Sequence, residues 1–407
     1  MPPINNSSPA QRAIPSVPVL SMATFRADDA VPLAAWPSLL DGADTRLVTS
    51  GRVAIGLALR AMGVGAGDTV LVPAYHSPSM IPPVHWCGAE VVFYKVRHDT
   101  TADLDDIATK LGSHVKAVMA THFFGIPQDL APLRALCDAR AIGLLEDCAH
   151  CFFGERGGVQ VGSTGDYAIG SSMKFFPIYE GGCLVSHRHR LDVALQGAGK
   201  GFEAKAALAA LEASFAYGRL AAVRLALALP LRARSALWNA LKARTSTPAS
   251  GEAVSLAPSS SDSSFTFDAR WADKRSSWFS RTVMRRASRS RIVGRRRRHY
   301  QALQQALDGA PGWRPLFAAL PDGACPWVFP LIAERPEALF NALQAAGVPM
   351  VRFGATLWPG VDDSVCANSM MLGRQLIALP CHQELAEHEF AWLAATVRAA
   401  LIATAAA

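Results

Sequence analysis

The chain lacks a second pair of closely spaced cysteines. Cys148 and Cys151 form one pair, but Cys87, Cys137, Cys183, Cys325, Cys366 and Cys381 are scattered, so no four-ligand zinc cluster is spelled out. The scatter fits reduced, mostly buried thiols and a cytoplasmic location. The opening residues MPPINNSSPAQRAIPSVP lack a basic region followed by an apolar run, so no secretory signal is expected there and residues 1–20 read as a flexible tail. An uninterrupted apolar run of membrane length is also missing. The alanine- and leucine-rich stretch from Ala204 to Arg234 is broken by Lys205, Glu212, Arg219 and Arg224, and reads as an amphipathic helix with no membrane partner. Finally, aromatic residues are scarce, at 8%, and none interleaves with the arginine-rich run RRASRSRIVGRRRR that supplies much of the +7 formal charge. Without rings to stack on bases, that run reads as a solvated helix face or an anion-facing patch near a subunit boundary, and no nucleic-acid partner is expected.

What is present suits a large α/β enzyme. With 407 residues, half of them hydrophobic, the chain exceeds one ordinary core and suits two domains. Between Thr45 and Ser186, β-branched runs (RLVT, TVLVPAY, EVVFYKV, VKAVMATH, AIGLLED, YAIGSS, CLVS) alternate with helical stretches such as RVAIGLALRAM and LAPLRALCDAR. This alternation predicts a doubly wound, mostly parallel sheet. Residues 187–245 read as helical, and TSTPASGEAVSLAPSSSDSS (245–264) as a polar loop. The rest reads as a long basic helix, strand WVFPLIA, helix PEALFNALQAAG, strand VPMVRF and a last helix from about Glu387. The expected division is therefore a large α/β domain over 21–245, a serine-rich loop over 246–266 and a smaller α+β domain over 267–407.

In such a sheet, ligands collect beyond the carboxyl ends of the strands. Ser50-Gly51-Arg52 follows the first strand and opens a helix, where backbone N–H groups and the helix dipole suit a phosphate; Ser50 equally suits an ordinary N-cap. His76 follows the second strand and His122 the fourth. Either could stack on or bond a ring, or serve structure alone. Asp147 closes the apolar run AIGLL and needs a cationic partner or several donors, which a protonated pyridine nitrogen or the next helix would provide. Lys174 lies in the apolar run YAIGSSMKFFPIYEGGCLV, just after Ser171 and Ser172. Desolvation there favours a free amine able to form a Schiff base, while a snorkelling lysine is the plainer alternative.

Taken in order, SGR, PAYHSPS, THFFGIPQDL, LLEDCAH, then GD followed by a lysine and EGG resemble the DegT/DnrJ/StrS family of sugar aminotransferases. The resemblance spans about Leu47 to Ser186 and returns in RRRRHYQAL and LIALPCHQELAEHEF. It implies the fold of the type I pyridoxal-phosphate enzymes, with pyridoxal 5'-phosphate as cofactor and Lys174 as its Schiff-base lysine. It makes Asp147 the partner of the pyridine nitrogen, sets His150 near the cofactor's phenolic oxygen, and gives Ser50 and Gly51 the phosphate. Three positions depart from the family pattern. Arg52 replaces a threonine, Ser77 replaces the stacking aromatic and leaves His76 as stacker, and Ile169 replaces a phosphate serine, so that Ser171 or Ser172 substitutes. The implied reaction moves an amino group, with glutamate as donor, to a nucleotide-linked keto-sugar in polysaccharide or secondary-metabolite biosynthesis, within a homodimer. Arg52 and Arg281 are candidate contacts to an anionic substrate. A sugar dehydratase of the same family is the alternative, although such relatives replace the lysine by histidine.

Overall fold

The computed structural model describes residues 14–28, 36–227 and 266–406. Seven strands form the main sheet: β1 (Asp44–Val48), β2 (Thr69–Pro73), β3 (Glu90–Tyr94), β4 (Val115–Thr121), β5 (Gly143–Asp147), β8 (Tyr167–Gly170) and β9 (Gly182–Ser186), with a small hairpin of β6 (Glu155–Arg156) and β7 (Val159–Gln160) before β8. Their order is β1-β9-β8-β5-β4-β2-β3. The pairs β2–β3, β2–β4, β4–β5 and β5–β8 are parallel, and β9 runs against both its neighbours. All seven strand expectations fall on these elements.

The side-chain period of two explains why both faces are covered. Val70, Val72, Ala117, Met119 and Leu145 enter one core, while Leu71, Val118, Ala120 and Leu144 enter the other. Each of the valine, leucine and methionine side chains among these contributes about 1.5–3 kcal/mol when fully buried. The same alternation sends Glu146 and Asp147 to opposite faces. Because six of the seven strands point one way, Thr49-Ser50, Tyr75-His76, His122, Asp147 and Ser171-Ser172 all emerge at one edge of the sheet.

A second, antiparallel sheet joins β10 (Trp313–Pro315), β11 (Val328–Ala333) and β12 (Leu376–Pro380). Helices Arg289–Leu307, Pro336–Ala345 and Glu387–Ala406 pack around it. By length and composition the last of these could cross a membrane, but Leu393, Val397 and Leu401 are buried in this core.

Several expectations are corrected. VPMVRF is not a strand: only Val351 bridges to Ala378, and the place beside β11 is taken by Leu376–Pro380. The chain leaves the sheet because Gly354, at φ +78°, packs so tightly on the Tyr75 ring that a Cβ would lie 2.2 Å from it. The tail expected over 1–20 does not extend to its last residues, since Ile14, Val19 and Leu20 are buried and the Pro15 carbonyl meets His382 Nε2. Val283, Met284, Ile292 and Val293 share a core with Phe152 and Phe175, while Tyr300 and Leu303 enter the second core together with Ile14 and Ile126. Of the helical stretch expected over 187–245, the described part, which ends at 227, contains the helices Lys200–Ala216 and Ala221–Ala226, and residues 228–245 lie outside the described residues. The serine-rich segment 245–264 and residues 1–13 lie outside the described residues.

Candidate active site

The first cluster forms where α1 (Gly51–Ala61) meets β9. Ser50 is extended and its Oγ accepts the Val53 N–H at 3.3 Å, so it does cap the helix. Gly182 presses on this turn: a Cβ there would lie 2.3 Å from the Ser50 carbonyl carbon and 2.6 Å from the Gly51 nitrogen. The Gly181 N–H donates to the Thr49 carbonyl, and the Ser172 N–H donates to the Gly181 carbonyl. Three stretches distant in sequence, 49–51, 171–172 and 181–182, are thereby fixed around one helix N-terminus. Ser171 and Ser172 are both buried, and the buried Thr49 hydroxyl has no partner among the described residues. Beneath the turn, Glu180 accepts from Ser276 Oγ at 3.1 Å and the Ser277 N–H at 2.9 Å, tying it to the helix Trp278–Arg286.

The second cluster surrounds Lys174. Burial lowers its pKa to about 8 against the opposing pull of Asp147, which stabilises the ammonium. Asp147 is buried; its Oδ1 accepts the Ala149 N–H at 2.9 Å and its Oδ2 the Thr121 hydroxyl at 3.3 Å. Burial raises its pKa, with the Ala149 bond and the charge of Lys174 opposing. Lys174 Nζ lies 4.7 Å from the centre of the Trp327 ring, and that indole stacks on His150 at 4.0 Å. His150 is enclosed by Phe124 and Phe353 as well. Its Nδ1 is buried without a partner among the described residues, and burial, then the charge of Lys174, holds the ring neutral, with its pKa well below the usual value.

His76 has a different setting from the stacker expected. Its Nδ1–H donates to the Ala74 carbonyl, its Nε2 accepts the Trp358 N–H at 3.1 Å, and its ring lies on Phe93 at 4.8 Å. Burial takes its pKa down to about 4. Arg52 is buried and donates to the Thr266 carbonyl at 2.7 Å. Arg281 lies on the helix that exposes Trp278, and its buried Nε has no partner among the described residues. His122, Glu146 and Cys148 have potential metal-ligand atoms within 4.8 Å of one another, but His122 Nδ1 accepts the Gln128 N–H and its Nε2–H donates to Glu146. Glu146 also accepts three backbone N–H groups, from Gly162, Thr164 and Gly165. The ligand atoms of His122 and Glu146 are thus already engaged within the protein.

Most arginines of the helix Arg289–Leu307 are engaged within the protein rather than left as a solvated face or an anion-facing patch. Arg291 and Arg295 donate to the carbonyls of Gln383 and Leu385, Arg297 to those of Pro321 and Ala324, and Arg298 pairs with Asp28. Arg296 is wholly buried and donates to the Lys174 carbonyl itself. Sequence reasoning did not single out Thr121, Trp327 or Arg296. Thr121 directly precedes His122 at a strand end, a signal that could have found it, whereas the other two lie more than 100 residues from Lys174 in sequence.

Two surface clefts lie elsewhere. One of about 370 Å3, lined by Met62, Gly143, Asp166 and Tyr167, opens at the amino ends of β5 and β8. The other, of about 430 Å3, lies between Gln128, Arg156 and Thr164. Neither includes Lys174, Asp147 or His150, and the convergence of titratable groups at the carboxyl edge marks the site better than cleft size does.

This arrangement is that of the type I pyridoxal-phosphate aminotransferase fold. The chain superposes on the aminotransferase TlmJ from Streptoalloteichus hindustanus with a TM-score of 0.59 over 89% of this chain and 87% of that one, at 21% identity. It superposes on Spr1654 from Streptococcus pneumoniae with a TM-score of 0.60 over 89% of this chain and 87% of that one, at 17% identity. Residues 45–197 match the DegT/DnrJ/EryC1/StrS aminotransferase family. Over 143 residues the chain is 35% identical to the GDP-perosamine synthase of Vibrio cholerae, covering 34% of this chain and 39% of that protein. Over 155 residues it is 32% identical to the UDP-N-acetyl-3-dehydro-alpha-D-glucosamine 3-aminotransferase of Acidithiobacillus ferrooxidans, covering 36% and 41%. The chain thus spans about two fifths of the length of the curated relatives it matches.

Proposed function

We propose that the protein is a pyridoxal-phosphate-dependent aminotransferase that moves an amino group from glutamate to a nucleotide-linked keto-sugar. The observation that carries this reading is the pairing of Lys174, its pKa lowered by burial, with the buried Asp147 at the carboxyl edge of the sheet. The residues present fit the cofactor. Ser50, Gly51 and Ser171 or Ser172 would hold its phosphate, with the unpartnered Thr49 hydroxyl beside them; Asp147 would meet its ring nitrogen, and the unpartnered Nδ1 of His150 would face its phenolic oxygen. A bound pyridoxal phosphate supplies an aldehyde for amine exchange and a ring that accepts electrons.

This chain's own groups do the rest. Asp147 holds a proton at the ring nitrogen, and a carboxylate buried this deeply gains from such a cation. The Lys174 amine takes a proton from the carbon of the donor and returns one to the carbon of the acceptor. An ammonium with a pKa near 8 is poised for that exchange near neutral pH. Trp327 lies over the amine and stacks on His150, giving it an aromatic wall on that side. The amino-sugar activities of the two relatives support a keto-sugar acceptor. A cytoplasmic homodimer serving polysaccharide or secondary-metabolite synthesis, divided into a large domain and a smaller one, completes the reading. The exposed Trp278 and nearby Arg281 are its candidate subunit and substrate contacts.

The test is to incubate the purified protein with glutamate and a panel of nucleotide-linked keto-sugars and to assay 2-oxoglutarate. Release with at least one such sugar is expected. Release only with simple keto acids or neutral sugars contradicts the substrate class, and release with none contradicts the activity.

A further inference from the structure

Arg296 is buried completely, yet all four of its acceptors are neutral. Its Nε donates to Gln383 Oε1 at 2.8 Å, Nη1 to the Pro326 and Trp327 carbonyls at 3.1 and 3.0 Å, and Nη2 to the Lys174 carbonyl at 2.8 Å. The guanidinium also lies over the Phe175 ring at 4.6 Å, while Gln383 Nε2 donates to the Phe175 carbonyl at 2.7 Å. Burying a cation whose direct acceptors are all neutral is costly even with the Glu384 charge acting on it from further off, an expensive way to satisfy carbonyls that water or a neutral amide could meet. What the planar fork provides is fixed directions. It grips two backbone stretches, one carrying Lys174 and the other carrying the indole that lies over its Nζ.

We propose that Arg296 is a positioning residue of the Lys174 site, holding the Lys174 and Trp327 backbones in one frame so that the indole stays seated over the amine. This rests on reading Lys174 as the reactive amine. With the fork lost, the two stretches move independently, water reaches Nζ, and the desolvation of the amine is relieved. A lysine at 296 keeps the positive charge but presents its donors from a single point and cannot span four acceptors. Comparing Arg296→Lys with Arg296→Met therefore separates geometry from charge.

The experiment is competitive acetylation of Lys174 in the full-length protein freed of cofactor, following the peptide that contains Met173-Lys174-Phe175 by mass spectrometry across pH. In Arg296→Lys the labelling midpoint should rise by about one unit toward that of a free lysine. Gln383→Met, which removes one acceptor and the bond to Phe175, should shift it the same way by less. An unchanged midpoint in Arg296→Lys overturns the inference, including when Arg296→Met alone shifts it, since charge rather than positioning would then be at work. If Arg296→Lys fails to unfold cooperatively, Gln383→Met decides: a rise supports the frame and no change refutes it. A midpoint at the ordinary lysine value in the unsubstituted protein is a different failure, because it removes the reactive amine on which both readings rest.

Discussion

Replacing Asp147 by asparagine probes the electrostatics of the site with little change of shape. The asparagine oxygen can still accept the Ala149 N–H, so the turn after β5 keeps its main bond. What disappears is the negative charge that stabilises the Lys174 ammonium. Burial alone pushes that pKa down, and Asp147 pulls it back to about 8; without the carboxylate the desolvation is unopposed and the pKa falls further. Each unit of change is about 1.4 kcal/mol. A fall of about one unit raises the free-amine fraction at pH 7 from about a tenth to about a half. Competitive acetylation of the cofactor-free protein reads this directly as a lower pH of half-labelling, the opposite sign to that expected for Arg296→Lys. Turnover should nonetheless drop, since the ring nitrogen has lost its partner. A midpoint that stays put or rises in Asp147→Asn would refute the coupling of the two groups, and with it the basis for assigning Asp147 to the cofactor.

The remaining predictions concern the scaffold. Glu146→Gln should destabilise the protein by about 3–5 kcal/mol in chemical denaturation, because an amide cannot accept from His122 and three backbone N–H groups together. Burial would raise the Glu146 pKa, but the bond to His122, its charge and the backbone N–H groups outweigh it and leave the pKa below the usual 4.5. The stability this carboxylate contributes is therefore complete above 4.5 and lost as pH falls through the folded value, so the Gln variant should show a shallower decline below pH 4.5; an unchanged slope would count against this. Gly182→Ala should cost about 1–3 kcal/mol by overpacking and weaken cofactor retention on dialysis, because its methyl group meets the Ser50-Gly51 backbone. Full retention would show that this turn does not hold the phosphate. Lys174→Ala should keep a cooperative melt and lose turnover by about three or more orders of magnitude, since one side chain supplies both the condensing amine and the proton carrier; normal turnover would show that another group does this work.

The seven strands of the main sheet were legible because each is a short apolar run, the central ones buried on both faces, a local pattern that needs no knowledge of partners. Strand direction then put Ser50, Asp147 and Lys174 at one edge. VPMVRF misled for the same reason: it is a short, mostly apolar run, but the contact of Gly354 with Tyr75, nearly 280 residues away in sequence, turns it out of the sheet. The arginine run carried charge without a visible purpose, and its acceptors, the carbonyls at 174, 321, 324, 326, 327, 383 and 385, are supplied only by the tertiary fold. His76 was placed at the right edge, but its ring nitrogens are engaged by Ala74 and by Trp358, a residue whose arrival there no local pattern announces.

In the proposed function, Lys174 is the amine that carries the cofactor. Borohydride reduction of the purified, pyridoxal-phosphate-loaded protein, followed by peptide mass spectrometry, tests it most directly. A single pyridoxyl adduct is expected on the peptide containing Met173-Lys174-Phe175, absent from Lys174→Ala. An adduct on another lysine, or none, would contradict it.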